Sequence, residues 1–172
     1  MFHLNSERRL NYSLIFNAVG FNLAWFGLVY WGNAFIPISL LLLLAHFYFN
    51  SQVKGELLLM VIITFFGILV DSLLQQFTFF IFAEHSHLPF WLITLWACFS
   101  ATICHSLHFL AGSKVLQLLV GGLFAPLSYI AGQKMAAVEF GQSLLSTYVT
   151  LSLLWGLLFV LFFMLKNRLV KV

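Results

Sequence analysis

The chain has 172 residues, of which 62% are hydrophobic and 8% charged, with 21 Phe and a mean hydropathy of +1.02. About a quarter of the residues in an ordinary soluble domain are charged, so this composition excludes a soluble globular fold and is that of an integral membrane protein. The formal net charge is +3, and its distribution along the chain accounts for it without a nucleic-acid partner.

About 20 apolar residues cross a hydrocarbon layer of about 30 Å as a helix. The apolar runs predict one all-α domain over 1–172, a bundle of six transmembrane helices at about 11–31, 33–49, 57–83, 89–111, 115–132 and 143–165. The first follows Arg8 and Arg9, as a signal peptide would. However, its apolar stretch runs on to Tyr30 and Trp31, beyond the roughly 7–15 residues of a secretory h-region, so it reads as an uncleaved anchor. One face carries Ser13, Asn17, Gly20, Ala24 and Gly27, small residues of the kind that let helices approach in lipid. Asn22 points away from that face, toward another helix or another subunit.

Only Gly32, Asn33 and Pro37 separate the first span from the second, which makes a five-span chain the main competitor. Charge decides against it. With six spans, Arg8, Arg9, Lys54, Lys114, Lys166, Arg168 and Lys171 share one side and Lys134 alone takes the other. By the positive-inside rule both termini are then cytoplasmic.

Asp71 dominates the third span, as the single charge between Leu57 and Ala83. An acidic side chain at a bilayer centre costs about 2.5–3.5 kcal/mol on insertion scales, so it faces a partner or a wet cavity. At about 100° per residue, Thr64, Gly67, Asp71, Gln75 and Thr78 share an arc that must face protein. Thr94, Cys98, Ala101, His105, His108 and Gly112 form a similar stripe on the fourth span. Counting back from the connection Glu84–Leu88 puts Asp71 level with Ala101 and His105 one turn below. An Asp71–His105 pair is the expectation; the alternative is a protonated Asp71 donating to Gln75 or to a backbone carbonyl. Cys98 and Cys104 are six residues apart on one predicted helix, about 9 Å of rise, too far for a disulfide. The fifth span has a small face of Gly121, Ala125, Ser128 and Gly132, and Pro126 kinks it and frees the carbonyl of Gly122.

The candidate intramembrane polar site is therefore Asp71, Ser72, Gln75, His105 and His108, with Asn17 and Tyr129 as neighbours. His46, His105 and His108 have ligand chemistry, for a metal with Asp71 or for a haem as a histidine pair. Histidines near helix ends are more often hydrogen-bonded interfacial groups, and neither a metal nor a cofactor is assigned. Glu84, His85 and His87 read as a solvated loop. Ser72 and Ser106 lack the turn and second base of a hydrolase, no phosphate-binding loop is present, and the two halves show no inverted repeat.

The run Gly67-Ile-Leu-Val-Asp71-Ser72-Leu-Leu, the segment Leu88-Pro89-Phe90-Trp91 through Leu95-Trp96, His105-Ser106-Leu107, and Pro126-Leu127-Ser128-Tyr129 with Gly132 and Lys134 resemble a family of small bacterial inner-membrane proteins, domain of unknown function 2878. Ala125 stands where that family usually has glycine. The resemblance implies a multi-pass protein of the Gram-negative inner membrane, with genes near fatty-acid-modifying enzymes such as cyclopropane synthase-like proteins, and no established activity. The functional expectation is a membrane protein that binds a lipid or another hydrophobic small molecule around Asp71 and His105, as an accessory to lipid-modifying enzymes. A proton-coupled carrier and a structural anchor for a partner protein are the alternatives. Oligomeric state is left open.

Overall fold

The computed structural model describes residues 2–50, 54–82 and 87–170, with side chains left out at 2–13 and 50. Ser13, Arg8, Arg9, Glu84, His85 and Lys171 lie outside the described side chains. The described chain is almost wholly helical: α1 (Phe2–Trp31), a 3-10 turn (Gly32–Phe35), α2 (Ile36–Asn50), α3 (Glu56–Gln76), α4 (Phe90–Ser100), α5 (Lys114–Lys134) and α6 (Leu144–Leu169). Four stretches, Leu14–Phe49, Glu56–Gln76, Lys114–Lys134 and Leu144–Leu169, are long and apolar enough to cross a membrane, and Phe90–Ser100 is a shorter apolar helix.

Two predicted spans are shorter than expected, for different reasons. The third does not continue to Ala83: α3 stops at Gln76, Thr78 takes a positive φ of 57°, and Phe80–Ile81 forms a short strand, β1. It pairs antiparallel with β2 (Glu139–Phe140). The run Phe77-Thr-Phe-Phe-Ile-Phe82 is rich in the aromatic and β-branched residues that suit a pleated surface, and β2 supplies the second edge.

The fourth span is not one helix to Ala111. α4 ends at Ser100, 101–107 runs through successive turns, and His108–Leu110 is a 3-10 turn. Ser100 Oγ donates to Ala97 O and Thr102 Oγ1 to Phe99 O, local bonds that compete with a regular helix, and Thr102 N, Ile103 N and His105 N bond three residues back. Irregular backbone that is buried needs partners from elsewhere. Here Asn17 Nδ2 donates to Ala101 O at 3.1 Å, Asn17 Oδ1 accepts from Ser106 N at 3.1 Å, and Lys166 Nζ donates to Ile103 O at 3.1 Å.

The core lies between α3, α4 and α6. Trp96 and Trp155 stack with centroids 4.9 Å apart, edged by Phe99 and Phe162. α5 lies closely on α6, and added Cβ atoms at Gly121 and Gly122 would meet the backbone oxygens of Trp155 and Ser152. The rest of the expected small face on α5 is different: Ala125, Ser128 and Gly132 line a cavity. α1 packs on α2 and α4.

Candidate functional site

Two polar centres lie at different heights in the bundle. The first surrounds Asp71, which is fully buried on α3. Trp96 Nε1 donates to Asp71 Oδ2 at 2.6 Å, and Tyr129 Oη donates to Asp71 Oδ1 at 3.0 Å. Gly67, one turn earlier, makes room for the indole, because a Cβ there would collide with the Trp96 ring. Tyr129 is held from its other face by Phe80 of β1, stacked at 5.0 Å. The indole N–H of Trp155 lies beside Tyr129 without completing a hydrogen bond.

The expected Asp71–His105 pair is corrected by these contacts. Because α3 ends at Gln76 and α4 starts only at Phe90, Trp96 rather than Ala101 meets Asp71. That is a slip of five residues, about 7.5 Å of helix. Of the predicted site, Tyr129 joins Asp71, Gln75 is half-buried on the following turn, and Ser72 is exposed on the outside of α3.

His105, His108 and Asn17 belong to the second centre, at the end where α3 and α5 begin and α6 finishes, fifteen residues or about 22 Å along α3 from Asp71. Its hub is Glu56, the first residue of α3 and only 3% exposed. One oxygen, Glu56 Oε1, lies 2.8 Å from His105 Nε2 and 3.1 Å from His46 Nε2. A carboxylate oxygen accepts, so both imidazoles donate through Nε2–H. Asn17 Nδ2 stands 3.3 Å from His46 Nδ1, on the far side of that ring. His108 is placed apart from Glu56, its Nδ1 accepting from Lys166 Nζ at 2.6 Å.

Gly55 sets Glu56 in position. Its φ is +88°, and a Cβ there would collide with Leu169 O at the end of α6, so only glycine makes this turn. Sequence reading places the third span from Leu57 and leaves Glu56 in the preceding loop beside Lys54. The available signal was a carboxylate in the first turn of an apolar helix, ten residues after His46.

Next to the first centre is a cavity of about 530 Å³ between α1 and α5, floored by α4 and α6. Trp96, Tyr129 and Trp155 form its inner wall, and Phe21, Trp25 and Phe80 add aromatic surface. Phe124 and Leu127 line it while 64% and 50% exposed, so it opens on the outside of the bundle. Its polar groups are few. Asn22 is on the α1 side, bonded to Ala18 O of its own helix at 2.8 Å, and Ser128 is on the α5 side. Ligand sites are commonly apolar cavities of about 300–1,000 Å³ with a small number of fixed polar groups.

The model of the family described as Protein of unknown function (DUF2878) matches residues 14–161. The chain belongs to this family. The matched stretch takes in both polar centres, from Asn17 to Trp155, and leaves out Lys166. No curated protein and no solved structure matches the chain.

Proposed function

We propose that this member of the family is a multi-pass protein of a bacterial inner membrane, with six spans and cytoplasmic termini, that binds a membrane lipid or similarly hydrophobic molecule in the cavity between α1 and α5. The cavity carries the reading: about 530 Å³ of largely aromatic surface, opening between two helices whose outer faces are apolar. An acyl chain entering sideways from the bilayer would exchange lipid contacts for aromatic ones, and a ligand carbonyl or hydroxyl would find Asn22, Ser128 or Tyr129. Asp71 stays behind this wall and holds Trp96 and Tyr129 in place. The rigid wall is what such a site needs, since preorganised side chains reduce the ordering cost of binding. The topology rests on charge: Lys54, Lys114, Lys166 and Arg168 lie at the Glu56 end, which supports a cytoplasmic position for that end and, with it, a cavity in the outer half of the bilayer. The role is that of an accessory presenting lipid to a modifying enzyme.

Native mass spectrometry of the detergent-purified protein tests the reading. A lipid-mass adduct is expected, recovered by solvent extraction and lost in Ser128→Trp, which fills the cavity. A protein that carries no adduct, or one that Ser128→Trp leaves undiminished, sinks it.

A further inference from the structure

His46, Glu56 and His105 converge from three separate elements, α2, the start of α3 and the irregular segment after α4, and each is less than a tenth exposed. Their ligand atoms all lie within 4.8 Å of one another. The three are unrelated to the cavity and to Asp71, and helix packing alone gives no reason to bury two imidazoles around one carboxylate oxygen. We propose that they form a binding site for one divalent transition-metal ion of the zinc or iron(II) class, near the cytoplasmic face.

The chemistry of the donors selects this class. Imidazole nitrogen suits zinc and iron, whereas calcium and magnesium take oxygen ligands, of which this site offers one residue's. The spacing fits as well. Metal–ligand bonds of about 2.0–2.1 Å put neighbouring ligand atoms about 3.0 Å apart in an octahedron and about 3.4 Å apart in a tetrahedron. The observed Glu56 Oε1 distances of 2.8 Å and 3.1 Å to the two Nε2 atoms are already close to such edges. Only the separation between the two imidazoles has to close. Their rings stand nearly perpendicular, at 85° with centroids 4.7 Å apart, so the nitrogens can converge without ring collision.

Metal entry replaces two N–H···O bonds with two nitrogen–metal bonds and one oxygen–metal bond. From the Nε2–H tautomer, each imidazole moves its proton from Nε2 to Nδ1 as the metal binds. At His46 that proton meets Asn17 Nδ2, and the 3.3 Å contact, the longest in the network, gives way. Asn17 keeps its bonds to Ala101 O and Ser106 N. Three ligands come from the described residues, fewer than the four of a closed tetrahedral site.

Cobalt(II) titration of the metal-stripped, detergent-purified protein decides the matter, because its d–d absorption reports coordination directly. One equivalent is expected, displaced by zinc. Glu56→Gln and His105→Ala should each weaken binding at least tenfold, while Asp71→Asn and His108→Ala leave it within twofold. Helical circular dichroism and monodispersity identify variants that fold, and Glu56→Gln, which keeps size and polarity, covers the case in which His105→Ala does not. Absence of stoichiometric cobalt binding, or binding that Glu56→Gln leaves intact, overturns the proposal.

Discussion

Trp96 donates its indole N–H to Asp71 Oδ2 at 2.6 Å across the α3–α4 contact, and the same indole stacks on Trp155 of α6. One carboxylate therefore orients the aromatic layer that joins three helices and forms the inner wall of the cavity. Removing an acceptor that serves the buried Trp96 indole and the half-buried Tyr129 hydroxyl leaves both unpaired, at about 1–3 kcal/mol each. Asp71→Ala is expected to destabilise the protein by about 2–5 kcal/mol, and Asp71→Asn by less, since the amide oxygen still serves one donor. Thermal unfolding in detergent, followed by tryptophan fluorescence, measures this. Equal melting of Asp71→Ala and the parent contradicts it.

Gly67→Ala reaches the same layer by a different route. The new methyl group occupies the place of the Trp96 ring, so the indole must swing away, with loss of both its Asp71 bond and the Trp155 stack. Overpacking of this kind costs about 1–3 kcal/mol. Near-ultraviolet circular dichroism should lose the signal of the parallel indole pair while the far-ultraviolet spectrum stays helical. An unchanged near-ultraviolet spectrum would show that the stack survives.

Asn17 and Asn22 lie on the same helix and predict opposite outcomes. Asn17 is buried and serves Ala101 O and Ser106 N where the chain after α4 leaves helical geometry, whereas Asn22 is exposed and bonds within its own helix. Asn17→Leu should cost about 2–4 kcal/mol, because two backbone groups lose their partner. Asn22→Leu should stay within about 0.5 kcal/mol. Comparable melting temperatures for the two variants would remove the special role given to Asn17.

Topology is open to a direct test in a Cys98→Ser, Cys104→Ser background. Lys114 and Glu139 are exposed near opposite ends of the bundle. A membrane-impermeant maleimide added to intact cells should label Glu139→Cys and spare Lys114→Cys until the membrane is opened. The reverse pattern would invert the orientation inferred from charge.

Residues with a strong local signal were legible in the sequence. The helical class follows from hydropathy, and Asp71 is singled out because no other charge shares its span. Tyr129 lies beside Asp71, its hydroxyl 3.0 Å from Oδ1. The limit came where helices end for tertiary reasons. Phe77–Phe82 is apolar enough to continue a helix, and only pairing with Glu139–Phe140 makes it a strand. Residues 101–107 leave helical geometry because Asn17 and Lys166, remote in sequence, satisfy the freed carbonyls.

Membrane residence, the helical class and the outstanding carboxylate were thus determined by the sequence itself, since each depends on composition or on period within one segment. Partner choice was decided by the tertiary structure. A five-residue slip between α3 and α4 replaced His105 with Trp96 at Asp71, and the Gly55 turn carried Glu56 inward to meet His46 and His105. Hydropathy measures how strongly a segment avoids water but carries no information on the register between segments. That register comes from packing and from the need to satisfy buried polar groups, and it alone sorted the candidate residues into two separate centres.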